Sequence, residues 1–189
     1  HLDDTPFLLM IGNVLSNYPL NHIKTIHKDN TADITLLYAR SAEAQFYVEL
    51  NERKQVVDIS ARGQNGWFGL NEIFLINPEI LAYLEKRNIL FYEKFLPDML
   101  QRNKKIIGLE NSAFCANFNS PEEIYQNSYQ LLTKEIFKIP GTKINQSYYG
   151  DKCEVEFSVL LEGKQYFGNN CQVAEKCSLK NNIIYDNVK

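Results

Sequence analysis

The side chains able to do chemistry in this chain are few, and their spacing argues against most of it. Four cysteines stand at Cys115, Cys153, Cys171 and Cys177. None forms a Cys-x-x-Cys pair, and no histidine lies at zinc-ligand spacing from them, so no zinc centre is expected. His22 and His27 are five residues apart, which puts them on different faces of a helix. Both read as surface or packing residues. Neither a Gly-x-Gly-x-x-Gly nor a Walker A sequence occurs, so no glycine-rich phosphate loop is expected.

Three of the cysteines belong to a larger pattern. From Tyr149 a bulky apolar residue falls at every sixth position: Val155, Leu161, Phe167, Val173, Leu179 and Tyr185 come after it. That period is neither helical nor a plain strand alternation. It is the period of a parallel β-helix built from hexapeptides, three to a coil. Cys153, Cys171 and Cys177 each stand four residues after a bulky position. That phase wants a small inward-facing residue, and a free cysteine behaves as a small hydrophobe. Cys153 and Cys171 are 18 residues apart, one full coil, and are expected to stack. Reduced core thiols fit a cytoplasmic protein. The hexads span little more than two coils, so further chain or a partner is expected to cover the apolar end.

Upstream, the elements alternate. Pro6–Gly12 is continuously apolar and predicts a strand buried on both faces. Leu20, Ile23 and Ile26 predict a helix over about Leu20–Asp29. Ala32–Ala39 is a second strand; Gln45–Leu50 and Gln55–Ser60 form a hairpin; Glu72–Ile76 is another strand. Asn77 with Pro78 predicts a capped helix start. A second helix spans about Tyr92–Arg102, with Pro97 as an irregularity, and Lys105–Leu109 is a strand. Ser120 and Glu123 form a capping box for a helix running to about Phe137. Ile139-Pro140-Gly141 breaks the chain. The expected organisation is an α/β domain with a mostly parallel sheet over 1–139 and a β-helix beginning at 140–189.

The formal net charge of −3 gives no basic surface, so nucleic acid is not an expected partner. No apolar run approaches the ~20 residues that span a bilayer, so no membrane role is expected.

The stretch His27-Lys28-Asp-Asn-Thr-Ala32-Asp33-Ile34-Thr35 resembles a His-Lys…Ala-Asp-Ile-Thr segment of the sugar-nucleotide pyrophosphorylases, ADP-glucose pyrophosphorylase above all. Val155–Gly163 is similar to the first β-helix strands of that family. The resemblance implies a nucleotidyltransferase (GT-A/Rossmann-like) domain followed by a left-handed parallel β-helix. It begins at the family's fourth strand, so the chain is expected to be a fragment lacking the family's N-terminal third, with its Gly-rich loop and activating Arg. The family holds a divalent cation between two aspartates, which neutralises charge on the transferring phosphoryl group. One follows a buried strand as Gly-Asp; here the pair is Gly12-Asn13. The other lies in Gly-Tyr-Trp-x-Asp-Val-Gly-Thr; here the stretch is Ala113–Ser120, with Asn117 at the aspartate. An amide is neutral and a weaker ligand than a carboxylate.

Three further positions fall at substrate contacts of the family. Arg62 stands near its sugar-phosphate lysine, and serves there only if the register slips by one; otherwise it is a solvated loop charge. Asn71 and Glu72 fall in its small-x-Gly-Ile-Tyr strand, with Glu72 at the glycine. The pattern is most similar to the noncatalytic regulatory subunit of bacterial glycogen synthesis. It implies a catalytically silent subunit that associates with a catalytic pyrophosphorylase subunit or with itself. No cofactor is expected, and Mg²⁺ only if activity survives; a sugar phosphate or a nucleotide remains a possible ligand. Two alternatives stay open: an active sugar-1-phosphate nucleotidyltransferase with a remodelled metal site, or a scaffold like the nucleotidyltransferase-like subunits of the eukaryotic translation-initiation exchange factor.

Overall fold

A computed structural model describes residues 5–40, 44–84 and 90–189. The chain divides into two compact units, residues 1–116 and 117–189.

The first unit is built on a mixed sheet. Its strands are β1 (Phe7–Met10), β3 (Ile34–Ala39), β4 (Tyr47–Leu50), β5 (Val56–Ser60), β6 (Phe68–Ile76) and β7 (Ile106–Glu110); a short β2 (Val14–Ser16) lies outside it. The order is β5-β4-β6-β3-β7, with β1 against the C-terminal half of β6. Only β3 and β7 run parallel; β1, β3 and β4 all pair antiparallel to β6. The expected mostly parallel sheet is therefore corrected. Parallel neighbours need a long crossover, whereas β4 and β5 are joined by the tight Asn51–Lys54 turn and reverse direction. Asn51 Oδ1 accepts from the amides of Arg53 and Gln55, which fixes that turn.

β3 sits between β6 and β7, and its first five residues are buried, which is why it reads as an unbroken apolar run. β1 does not behave that way. Its burial alternates: Phe7 and Leu9 pack against the core, while Leu8 and Met10 point to the opposite face and are exposed. Ile11 and Gly12 lie beyond its end.

Helix α1 (Leu20–Asp29) matches its expected span and covers one face of the sheet. Its Ile23 is fully buried with Tyr18, Leu37, Ile73 and Leu75; burying one such side chain contributes about 1.5–3 kcal/mol. The other face is covered by residues 78–84 and 90–101. There Ile80, Phe95, Leu96 and Met99 pack on Ile34, Leu36, Phe74 and Ile76. Asn77 does not cap the segment after it. Its side chain points elsewhere: Nδ2 donates to the Ala32 carbonyl (2.9 Å), and Oδ1 accepts from His27 Nε2 (3.0 Å). The segment after Asn77 is one stretch of 3₁₀ helix, Pro78–Tyr83. Pro97 also has a visible effect. A wide π turn over Phe91–Phe95 precedes α2 (Leu96–Gln101), with Phe95 N–H reaching back to the Leu90 carbonyl (3.0 Å). The proline has no N–H to continue the regular ladder, and the wider turn accommodates it.

A short β8 (Cys115–Asn117) precedes the second unit's helix α3 (Pro121–Lys134). Ser120 Oγ accepts from Glu123 N–H (3.2 Å), as expected, but Glu123 reaches one residue further back, to the Asn119 amide (2.7 Å). The helix stops at Lys134, short of Phe137, because Glu135 turns left-handed (φ 48°) and its carboxylate binds Lys143.

Beyond it lie eight short strands: β9 (Thr142–Ile144), β10 (Ser147–Tyr149), β11 (Glu154–Val155), β12 (Leu160–Glu162), β13 (Gln165–Phe167), β14 (Gln172–Val173), β15 (Ser178–Lys180) and β16 (Ile183–Ile184). β10 pairs with β13, β11 with β14, and β12 with β15, all parallel. The partners are Tyr149 with Phe167, Val155 with Val173, and Leu161 with Leu179. Each pair is one expected coil apart. The last pair slips: Phe167 faces Ile184 rather than Tyr185, which is left exposed. Glu154 N–H donates to the Cys171 carbonyl, so Cys153 and Cys171 do fall in register. All four cysteines are free, and Cys171 is fully buried.

Candidate functional site

In an open sheet, chemistry gathers where strands end. The end of β1 is such a place. Met10 pairs with Ile73, Ile11 N–H donates to the Glu72 carbonyl (3.3 Å), and Val14 N–H closes the next turn on the Ile11 carbonyl (3.1 Å). Asn13 stands in that turn, two residues after the backbone meets Glu72. Asn13 Oδ1 and Glu72 Oε2 are both shut off from solvent.

Glu72 is 5% exposed and is the only acidic side chain buried among the described residues. Its charge is felt by two groups. Burial pushes the Cys115 thiol up to about 11, the Ser16 hydroxyl opposes this by hydrogen bonding to it, and Glu72 raises it further. Burial also raises the Tyr92 phenol far above its usual range, with Glu72 and Glu93 adding to the effect. Both acids stay protonated at neutral pH. Cys115 is therefore no nucleophile, since the thiolate is the reactive form. Ser16 is itself occupied, donating to the Phe114 carbonyl (2.8 Å) and accepting from Tyr18 N–H (3.2 Å).

Two amides complete the neighbourhood of the strand ends. Asn71, next to Glu72, has a buried Oδ1 with no hydrogen bond among the described residues. Asn111, just past β7, takes the Ala113 amide on Oδ1 (2.9 Å), while its buried Nδ2 has no hydrogen-bond partner among them. Sequence reasoning did not single out Asn111, Tyr92 or Ser16. Tyr92 and Cys115 enter only through the fold, because both feel Glu72.

The remaining expected residues are not gathered in. Arg62 is exposed in the loop after β5, where its backbone amide bonds Ser60 Oγ (3.1 Å); its side chain makes no contact with Asn13, Asn71 or Glu72. Asn117 belongs to the second unit, where its carbonyl accepts from Asn127 Nδ2 (2.6 Å).

A magnesium ion wants several hard oxygen ligands. The end of β1 offers one buried carboxylate, Glu72, set among neutral amides and a protonated thiol. No group of three His, Cys, Asp or Glu side chains that could hold a metal occurs among the described residues. The side chains present do not fit such an ion. No helix among the described residues is long and apolar enough to cross a membrane.

No protein-family model matches this sequence. No curated protein matches it either. Solved structures do. The inositol-1-phosphate CTP transferase from T. maritima is similar at 19% identity and a TM-score of 0.58, over 74% of this chain and 59% of that one. HddC from Yersinia pseudotuberculosis, solved with GMP-PN, is similar at 15% identity and a TM-score of 0.50, over 65% of this chain and 53% of that one. The chain thus spans somewhat over half the length of these structures. At such identities the likeness speaks for the architecture alone: a mixed α/β fold of the nucleotidyltransferase kind.

Proposed function

We propose that this chain is a sugar-phosphate nucleotidyltransferase-like subunit that is catalytically silent and acts by association. The observation that carries the reading is the buried Glu72 on β6, whose backbone carbonyl meets the chain just past β1, with an amide at Asn13 two residues on. A buried carboxyl group gives a phosphorylated substrate no positive partner there, and ionised it would repel the phosphate. The amide at Asn13 supplies no charge to hold the cation, and Asn117 would supply none either. The fold likeness supports the nucleotidyltransferase ancestry. The neighbour's name, an inositol-1-phosphate CTP transferase, supports a polyol or sugar phosphate and a nucleotide as the ancestral ligands.

On this reading residues 1–139 are the α/β domain and 140–189 begin a left-handed β-helix. The three sets of parallel pairs, each one coil apart, support the second assignment. The partner is a catalytic pyrophosphorylase subunit, as in bacterial glycogen synthesis, or a second copy. The setting is the cytoplasm, and no cofactor is needed. Mixing the full-length protein with a catalytic ADP-glucose pyrophosphorylase subunit tests this. The reading expects a stable complex with raised turnover and no turnover from the protein alone. No complex, with unchanged partner kinetics, would sink it.

A further inference from the structure

At the other end of β1 the first unit has an open cleft of about 580 Å³. That size lies within the range of small-molecule sites. It is lined by α1, by the start of β1 and by the β6 end at Leu75 and Asn77. Its chemistry is one-sided. Lys24 and Lys28 line it, and no acidic side chain does so among the described residues. Neither lysine has an ion pair among those residues. In a chain of net charge −3 this is a local concentration of positive charge.

The two lysines are four residues apart on α1 and so rise from one helical face. Like charges at that spacing destabilise a helix unless an anion lies between them. The floor beneath them is rigid. His27 is buried, with Nδ1 on Thr35 Oγ1 (2.8 Å) and Nε2 donating to Asn77 Oδ1 (3.0 Å). Asn77 is held a third time by its backbone N–H on the Asp33 carbonyl (3.0 Å). With His27 and Asn77 of the floor already engaged, recognition falls to the two lysines, the hydroxyls of Thr5 and Thr31, and apolar contact with Pro6, Ala32 and Leu75. Two long-stemmed cations over a preformed, partly apolar hollow suit a phosphate carried on an organic body.

We propose that this cleft binds an organic phosphate through Lys24 and Lys28, at a site whose lining includes neither Asn13 nor Glu72. The proposal does not depend on whether the protein is catalytically silent. The test is titration calorimetry of the full-length protein with phenyl phosphate, inorganic phosphate and phenol at low and high salt. Phenyl phosphate is expected to bind tightest, inorganic phosphate weakly and phenol not at all, with affinity falling as salt rises. The Lys24→Ala/Lys28→Ala double variant is expected to lose at least tenfold in affinity. Lys134→Ala, which removes a lysine on α3, should lose none. Absence of phenyl phosphate binding would overturn the site. So would binding that the double variant leaves unchanged, or that Lys134→Ala weakens equally.

Discussion

Asn77→Ala removes more than its size suggests. The side chain bridges two buried groups, accepting from His27 Nε2 (3.0 Å) and donating to the Ala32 carbonyl (2.9 Å). Each such bond contributes about 1 kcal/mol net, and a donor left buried without a partner costs about 1–3 kcal/mol. Water from the adjoining cleft can recover part of that loss. The expected destabilisation is therefore about 2–3 kcal/mol, a fall in Tm of roughly 4–12 °C for a chain of this size. Trp67 is the only tryptophan and lies in the first unit, so urea titration followed by its fluorescence reports on that unit. A double-mutant cycle with His27→Ala should show a coupling of about 1 kcal/mol. A loss below ~0.5 kcal/mol, or strict additivity in the cycle, would refute the view that Asn77 serves His27 rather than the helix after it.

Other consequences can be checked alongside. With its thiol near 11, Cys115 should be only about 0.1% thiolate at pH 8 and react with a disulfide reagent roughly 200-fold more slowly than an exposed cysteine; equal rates would contradict the burial. Because the thiol is raised in the fold, the unfolded chain ionises first, so this group's share of stability is present below about pH 8.5 and is lost as pH rises toward 11. Phe167 is fully buried and stacks on Tyr149 with centroids 5.1 Å apart, so Phe167→Ala should cost about 3–5 kcal/mol, whereas Phe157→Ser, at a side chain 98% exposed, should cost almost nothing in a urea titration. Gly163 has φ +74°, and an added Cβ would fall 1.9 Å from Asn181 Oδ1. That oxygen also accepts from Tyr129 of α3 (2.7 Å), so Gly163→Ala should cost about 2 kcal/mol and loosen the helix, visible as faster amide exchange along α3.

Periodic features were legible in the sequence because they depend on neighbours along the chain. The sixfold spacing pointed to Tyr149, Val155 and Leu161 meeting Phe167, Val173 and Leu179, and they pair. Helix α1 and the β4–β5 hairpin were legible for the same reason. Sheet direction was not, because it is decided by which strands meet. Nothing local in Phe68–Ile76 says that three strands will pair antiparallel to it. Asn77 looked like a cap because caps are local, and it was claimed instead by a histidine fifty residues earlier. The candidate site was half legible. Asn13, Asn71 and Glu72 were named from motif positions; successive side chains of a strand face opposite ways, so Asn71 and Glu72 point to different faces of β6. Asn111, Tyr92 and Ser16 carry no motif, and Arg62 lies outside the cluster.

The central claim is that the residues at the end of β1 lack the charge pattern that nucleotidyl transfer requires. Its most direct test is synthesis of a nucleotide sugar from a nucleoside triphosphate and a sugar 1-phosphate by the full-length protein alone, with and without Mg²⁺. The account predicts no product above a protein-free blank in either condition. Mg²⁺-dependent turnover that disappears in Glu72→Ala would contradict it.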